Sequence, residues 1–203
     1  MKVKICGLRT LDDVAIVNEA MPDYAGFIFA PGRRRTVTRE RAAEMKRALD
    51  KRIKAVGVFV DAPLEEPYGL LKDGIIDIAQ LHGNEDPRYV HNLKIISGAT
   101  LIQAFVVKTA DDFKKAYYSH ADIVLLDAGK GDGKTFDWEL TKGFTEPFLL
   151  AGGLSPDNVA EAIARCRPWG VDVSSGVETD GTKDARKVLA FVKACRESAI
   201  HNS

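Results

Sequence analysis

The sequence predicts a single-domain (β/α)8 barrel on three observations. Eight short β-rich runs are spread along the 203 residues. They recur at roughly 25-residue intervals with amphipathic stretches between them, and no change of composition or linker divides the chain. Several runs are apolar almost throughout, as strands covered on both faces of a parallel sheet are. An open doubly wound sheet is the competing arrangement. It would use fewer strands and place one dominant glycine loop after the first, whereas the glycines here sit elsewhere.

The strands are expected at VKICG (3–7), YAGFIFA (24–30), IKAVGVFV (53–60), IDIAQLHG (76–83), TLIQAFVV (100–107), DIVLLD (122–127), PFLLAGG (147–153) and GVDVSSG (170–176). Each is followed by a helical stretch. Thr10 caps LDDVAIVNEA and Thr38 caps RERAAEMKRALDK, while Ser155 precedes PDNVAEAIARC with Pro156 at the favoured first helical position. The least regular stretch is APLEEPYGLLKDG, 62–74, where Pro67 and Gly69 interrupt the pattern. The length is at the low end for this fold, which leaves little room for additions.

Composition removes several classes of function. A hydrophobic share of 45% is enough for a sizeable core. Lys plus Arg and Asp plus Glu both count 29, so no overall field recruits nucleic acid or an acidic membrane. No apolar run approaches the roughly 20 residues that span a bilayer. Arg9, Asp12 and Asp13 break up any apolar signal core, which gives the expectation of a cytoplasmic protein. The three cysteines, Cys6, Cys166 and Cys195, and the four histidines lack disulfide-framework or metal-ligand spacing, so no metal is expected. For Cys6 that leaves packing or catalysis, while Cys166 and Cys195 read as structural.

In a parallel barrel the site forms at the C-terminal ends of the strands. The residues expected there are polar: Cys6, then Gln80 and His82, Asp127, Gly152 and Gly153, and finally Ser174, Ser175 and Gly176. Glycine-exposed backbone N–H groups after strands seven and eight suit a phosphate, which implies a phosphorylated substrate. Asp127 is followed by AGKGDGKTFDW, long enough for a lid. GKT at 133–135 fails as a Walker loop because position 128 is Ala, and an EF-hand starting at Asp127 fails because Trp138 stands where glutamate is needed. In PGRRRTVT, a run of arginines suits a solvated surface, but one guanidinium could clamp a substrate carboxylate. His82 reads equally well as a functional group or as a satisfied core histidine.

KICGL at 4–8, GFIFAPGRRRTV at 26–37, QLHGNE at 80–85, LLDAGKGDGKTFDW at 125–138, LAGGL at 150–154 and GVDVSSGVE at 170–178 resemble the phosphoribosylanthranilate isomerase family of tryptophan biosynthesis. The resemblance implies an Amadori rearrangement of N-(5-phosphoribosyl)anthranilate to 1-(2-carboxyphenylamino)-1-deoxyribulose 5-phosphate, with no cofactor, in a monomer or homodimer whose partner is a small phosphosugar. It assigns Asp127 as general acid on the ring oxygen and Cys6 as general base at C2′. Arg35 is assigned to the anthranilate carboxylate, with Arg34 its competitor. Asp172 would serve the amine end, and Gly153, Ser175 and Gly176 the phosphate. One departure is the loop after Asp127, where only Ala128 and Gly129 precede KGDGK; Lys130 or Lys134 could stand in for a backbone contact.

A free thiol titrates near ~8.5 and a free aspartate near ~3.9, so each group would need its environment to push it toward the other. Nearby cations are expected to favour the thiolate. Two other readings remain: a histidine-pathway aldose-ketose isomerase, which resembles this chain but carries aspartate at the Cys6 position and takes two phosphates, and a non-catalytic phosphosugar-binding barrel with Cys6 as inert core.

Overall fold

The computed structural model describes residues 1–109, 112–127, 138, 141 and 144–201. Eight parallel strands close in chain order: β1 (Lys2–Cys6), β2 (Tyr24–Ile28), β3 (Lys54–Phe59), β4 (Ile78–Leu81), β5 (Thr100–Val106), β6 (Ile123–Asp127), β7 (Phe148–Ala151) and β8 (Gly170–Val173). Closure is between β8 and β1, where Lys4 pairs with Asp172 and Ile5 with Val173. The expected barrel is therefore present.

Seven α-helices occur among the described residues: α1 (Leu11–Ala20), α2 (Arg39–Ala48), α3 (Glu65–Lys72), α4 (Pro87–Ser97), α5 (Asp112–Tyr117), α6 (Val159–Cys166) and α7 (Ala185–His201). The expected lid at 128–137, with Lys130 and Lys134, lies outside the described residues, as does most of the helical stretch expected between β6 and β7. No helix among the described residues is long and apolar enough to cross a membrane.

Local chemistry explains most helix limits. Thr10 accepts from the Asp13 N–H while Asp13 reaches back to the Thr10 N–H, a reciprocal cap, and Thr38 accepts from the Arg41 N–H. α3 forms despite Pro67, because a proline in the first turn forfeits an N–H that has no intrahelical partner there. The expected start at Pro156 is corrected. α6 begins at Val159 with Asn158 as its cap, and the Asn158 side chain turns back to the Ser155 N–H and the Gly153 carbonyl.

The strands also stop earlier than expected, at 28, 81, 151 and 173. The residues that extended these runs, Phe29 and Ala30, His82 and Gly83, Gly152 and Gly153, and 174–176, belong to the loops. After β8 come a short 3₁₀ turn, Ser175–Val177, and an unforeseen hairpin of β9 (Glu178–Thr179) and β10 (Thr182–Lys183). Its loop residues Asp180 and Gly181 both have positive φ, 50° and 80°, as a two-residue turn matched to strand twist demands.

Two apolar layers hold the fold. Val3 and Ile5 join the outer core between strands and helices. The barrel interior carries Tyr24, Val56, Ile78, Ile102, Leu125 and Leu149. Because strand side chains alternate, Lys4 and Cys6 take the interior side of β1.

Candidate active site

Cys6 is the last residue of β1, 6% exposed. Its Sγ leans toward β2, where a Cβ added at Gly26 would come within 2.7 Å of it. A side chain at Gly26 would displace the sulfur, so this glycine is required for close approach. Burial pushes the thiol above its ordinary value, only partly offset by the charge and hydrogen bond of Lys4 and by the charge of Lys183. The expected cations are present, yet dehydration of the sulfur outweighs them.

Behind Cys6 lies a buried charged cluster. Lys4 is fully buried, and its Nζ lies 3.0 Å from Asp172 Oδ1. Burial alone would lower the Lys4 ammonium; the charges of Asp172 and Cys6 and hydrogen bonds to both raise it above its ordinary value. Lys183, on β10, donates to the Ser174 carbonyl at 2.9 Å and to Glu178 Oε1 at 3.0 Å. Burial resists ionisation of Glu178, but hydrogen bonds from Arg35 and the charge of Lys183 bring it down to about 2.

Arg35 places Nε 2.6 Å and Nη2 2.8 Å from the two Glu178 oxygens, a bidentate grip that also raises the guanidinium. Arg34 reaches the same carboxylate at 2.8 Å with a side chain 56% exposed, against 20% for Arg35. Of the two candidates, Arg35 is the one turned toward Cys6: its stem passes over Gly7, the residue next to the thiol.

Across the mouth, Asp127 ends β6, and its Oδ2 lies 3.2 Å from His82 Nε2. His82 stands one residue past β4, its N–H bound to the Phe59 carbonyl at 2.8 Å. Gln80 Nε2 lies 3.2 Å from His82 Nδ1, so the amide and Asp127 flank the imidazole at its two ring nitrogens. Gln80 Oε1 is buried without a hydrogen-bond partner among the described residues. The sequence pattern thus joins Gln80, His82 and Asp127 into one chain of contacts.

At the ends of β7 and β8, Gly152 and Gly153 have φ of 94° and 65°, a backbone path that glycine follows without penalty. Ser175 and Gly176 begin the 3₁₀ turn directly opposite, with Gly176 packed close against the Leu154 carbonyl. Ser174, expected beside the phosphate, donates its hydroxyl to the Cys6 carbonyl at 3.1 Å and so ties β8 to β1. Sequence reasoning passed over Lys4, Lys183 and Glu178. For Lys4 a signal existed, because two residues before Cys6 on a strand is the same face.

The chain is similar to known proteins along nearly its whole length. A family profile described as PRAI, N-(5'phosphoribosyl)anthranilate (PRA) isomerase, matches residues 3–194. The N-(5'-phosphoribosyl)anthranilate isomerase of Endomicrobium trichonymphae is 44% identical over 200 residues, covering 96% of this chain and 98% of the relative. The crystal structure of phosphoribosyl anthranilate isomerase from Thermotoga maritima superimposes with a TM-score of 0.90 at 33% identity, covering 97% of this chain and 99% of that one. A phosphoribosyl anthranilate isomerase in complex with reduced 1-(o-carboxyphenylamino)-1-deoxyribulose 5-phosphate matches at 0.87, with the same identity and coverage. On these matches and on its closed eight-stranded barrel, the chain belongs to the phosphoribosylanthranilate isomerase family.

Proposed function

We propose that the chain, read as one domain over residues 1–203, catalyses the Amadori rearrangement of N-(5-phosphoribosyl)anthranilate to 1-(2-carboxyphenylamino)-1-deoxyribulose 5-phosphate in tryptophan biosynthesis, with Asp127 as acid and Cys6 as base. The observation that carries this reading is the pairing of a buried thiol at the end of β1 with an aspartate at the end of β6, both at the barrel mouth. Membership of the family supports the reaction.

The chemistry follows in three steps. Asp127 protonates the furanose ring oxygen, the C1′–O bond breaks, and the nitrogen lone pair forms an iminium. The Cys6 thiolate then removes the C2′ proton, and the C–H electrons form the C1′–C2′ double bond of an enolamine as nitrogen recovers its pair. Tautomerisation moves one proton from O2′ to C1′, leaving the ketone. Every electron pair stays within the substrate, so no cofactor enters this balance. The phosphate would lie against the backbone of Gly152, Gly153, Ser175 and Gly176, and Arg35 would hold the anthranilate carboxylate. Asp172, paired to Lys4, would act near the amine end.

The catalytic state requires a thiolate together with a protonated carboxyl, the reverse of their order in solution. Between the two titrations the fraction of protein in that state does not change with pH. It falls tenfold for every unit by which the base titrates above the acid. Anything that brings the thiol down therefore raises the whole plateau.

The test supplies freshly prepared phosphoribosylanthranilate and follows loss of anthranilate fluorescence, comparing the intact protein with Cys6→Ala and Asp127→Asn. Turnover by the intact protein, lost in both variants, is expected. A folded protein that binds the substrate without converting it would instead make the chain a phosphosugar-binding barrel, and near-full activity in Cys6→Ala would overturn the assignment of the base.

A further inference from the structure

We propose that Lys4 is a positioning residue for Cys6: from inside the barrel its ammonium holds the sulfur and favours the thiolate, while Asp172 sets how much of that charge the sulfur feels. The inference rests on the reading of Cys6 as the base.

Interior layers of such barrels are ordinarily filled by branched apolar side chains, yet Lys4 is among the largest fully buried side chains of this protein. A buried Lys–Asp pair is seldom better for stability than two apolar residues of the same size, because both ions lose their water. Packing therefore does not call for a lysine here. What the site gains is a cation that cannot be screened, fully buried and on the same strand face as the thiol, two residues before it.

The other charged groups around Cys6 are already committed. From β10, Lys183 is held by the Ser174 carbonyl and Glu178. From the loop after β2, Arg35 gives two hydrogen bonds to Glu178 of β9. From β8, Asp172 faces Lys4. On the far side of the mouth are His82 and Asp127. The half of the site behind Cys6 thus holds three shielded cations, Lys4, Lys183 and Arg35, against two carboxylates, Asp172 and Glu178. A thiolate supplies the missing negative charge, and Lys4 is the cation that shares its strand and its face of the barrel interior.

The decisive experiment titrates the thiol itself. In a Cys166→Ala/Cys195→Ala background, thiolate ultraviolet absorbance and the rate of iodoacetamide alkylation are followed against pH, before and after Lys4→Met and Asp172→Asn. The expected midpoint moves up by about one unit or more in Lys4→Met, which is about tenfold less thiolate per unit at a fixed pH. It moves down in Asp172→Asn. Damage to packing alone would shift both variants the same way or neither, and either result overturns the proposal.

Should Lys4→Met fail to fold, the Lys4→Met/Asp172→Asn protein removes both members of the buried pair and leaves neither without its partner. Its midpoint is expected above that of the parent but below that of Lys4→Met or, lacking that comparison, simply above the parent; an unmoved or lower midpoint overturns the proposal. In turnover, the plateau of kcat/KM in Lys4→Met should fall by up to tenfold for each unit the alkaline limb rises. If Cys6→Ala keeps its activity, the base assignment fails while the thiol titration still decides the role of Lys4. If Cys6→Ala is dead and the midpoints do not move, the proposal fails and the assignment stands.

Discussion

The two sides of the barrel mouth are built on different physics. On the β1–β8 side, Cys6 is sunk beside Lys4, Asp172, Lys183, Glu178 and Arg35, most of them shielded from water. On the β4–β6 side, His82 and Asp127 keep side-chain exposures of 27% and 22%, and the neutral amide of Gln80 lies against the imidazole. Charge acts strongly where water is excluded and weakly where it is not. The side of the proposed base, Cys6, is therefore tuned by fixed charge, and the side of the proposed acid, Asp127, is organised by hydrogen-bond geometry. A base that burial makes reluctant to ionise needs such charges, whereas an acid that must meet a ring oxygen needs placement.

The largest break in this contrast removes both partners. Cys6→Ala and Asp127→Asn should each lower kcat by ~10² to 10⁴, the usual worth of a general acid or base. Because they act as a unit, the double variant should fall far short of the product of the two losses, as steady-state kinetics would show. Next comes Arg35→Met. Losing a charge-assisted bidentate contact to substrate should raise KM by roughly 10- to 100-fold with kcat changed much less. A drop confined to kcat would mean that Arg35 serves the charged cluster and not the carboxylate.

Gly26→Ala tests the same side by shape alone. The new methyl would press on the Cys6 sulfur and on its Cα, at 2.7 and 3.0 Å. Overpacking of this kind costs about 1–3 kcal/mol. We expect a lower urea midpoint together with about a tenfold fall in kcat, since a small displacement of a reacting group is costly. The corresponding change on the acid side, His82→Asn, should cost severalfold in kcat and leave stability nearly unchanged, because the imidazole is partly exposed.

These two sides were not equally legible in the sequence. The acid side was: Gln80, His82 and Asp127 stand at the ends of strongly apolar runs, and topology alone brings them together. The Cys6 side was legible as Cys6, Arg35 and Asp172, but not as the charged cluster that joins them. Lysine in a strand reads as surface, and its partner Asp172 lies 168 residues away, so the pair exists only once β8 closes on β1. The ends of β2 and β7 ran too far because Phe29–Ala30 and Gly152–Gly153 continue the apolar and small-residue composition of the strands into the mouth loops. The hairpin at 178–183 was readable, since Asp180–Gly181 between Thr179 and Thr182 is a strong turn signal. It was passed over because the length of the chain argued against additions to the barrel. That hairpin is what sets Glu178 opposite Lys183 and so completes the cluster.

The smallest effect is the pH dependence of stability that Glu178 contributes. Its carboxyl titrates at about 2 in the folded protein, against an ordinary 4.5. A depressed folded value means that ionised Glu178 stabilises the native state fully above pH 4.5, and that this contribution drains away as pH falls from 4.5 through 2. Replacing it in Glu178→Gln removes that dependence while leaving Arg35 and Lys183 without their anion. Urea midpoints should therefore separate the two proteins most at neutral pH, with the parent more stable, and should converge below pH 4.5. Other carboxylates are also held below their ordinary values, Asp23 and Asp122 among them, so the informative quantity is the difference between the two curves. A gap that stayed constant down to pH 2 would show that Glu178 acts through packing. The base side of the mouth would then owe its order to shape, as the acid side does, and the contrast between them would rest on Lys4 alone.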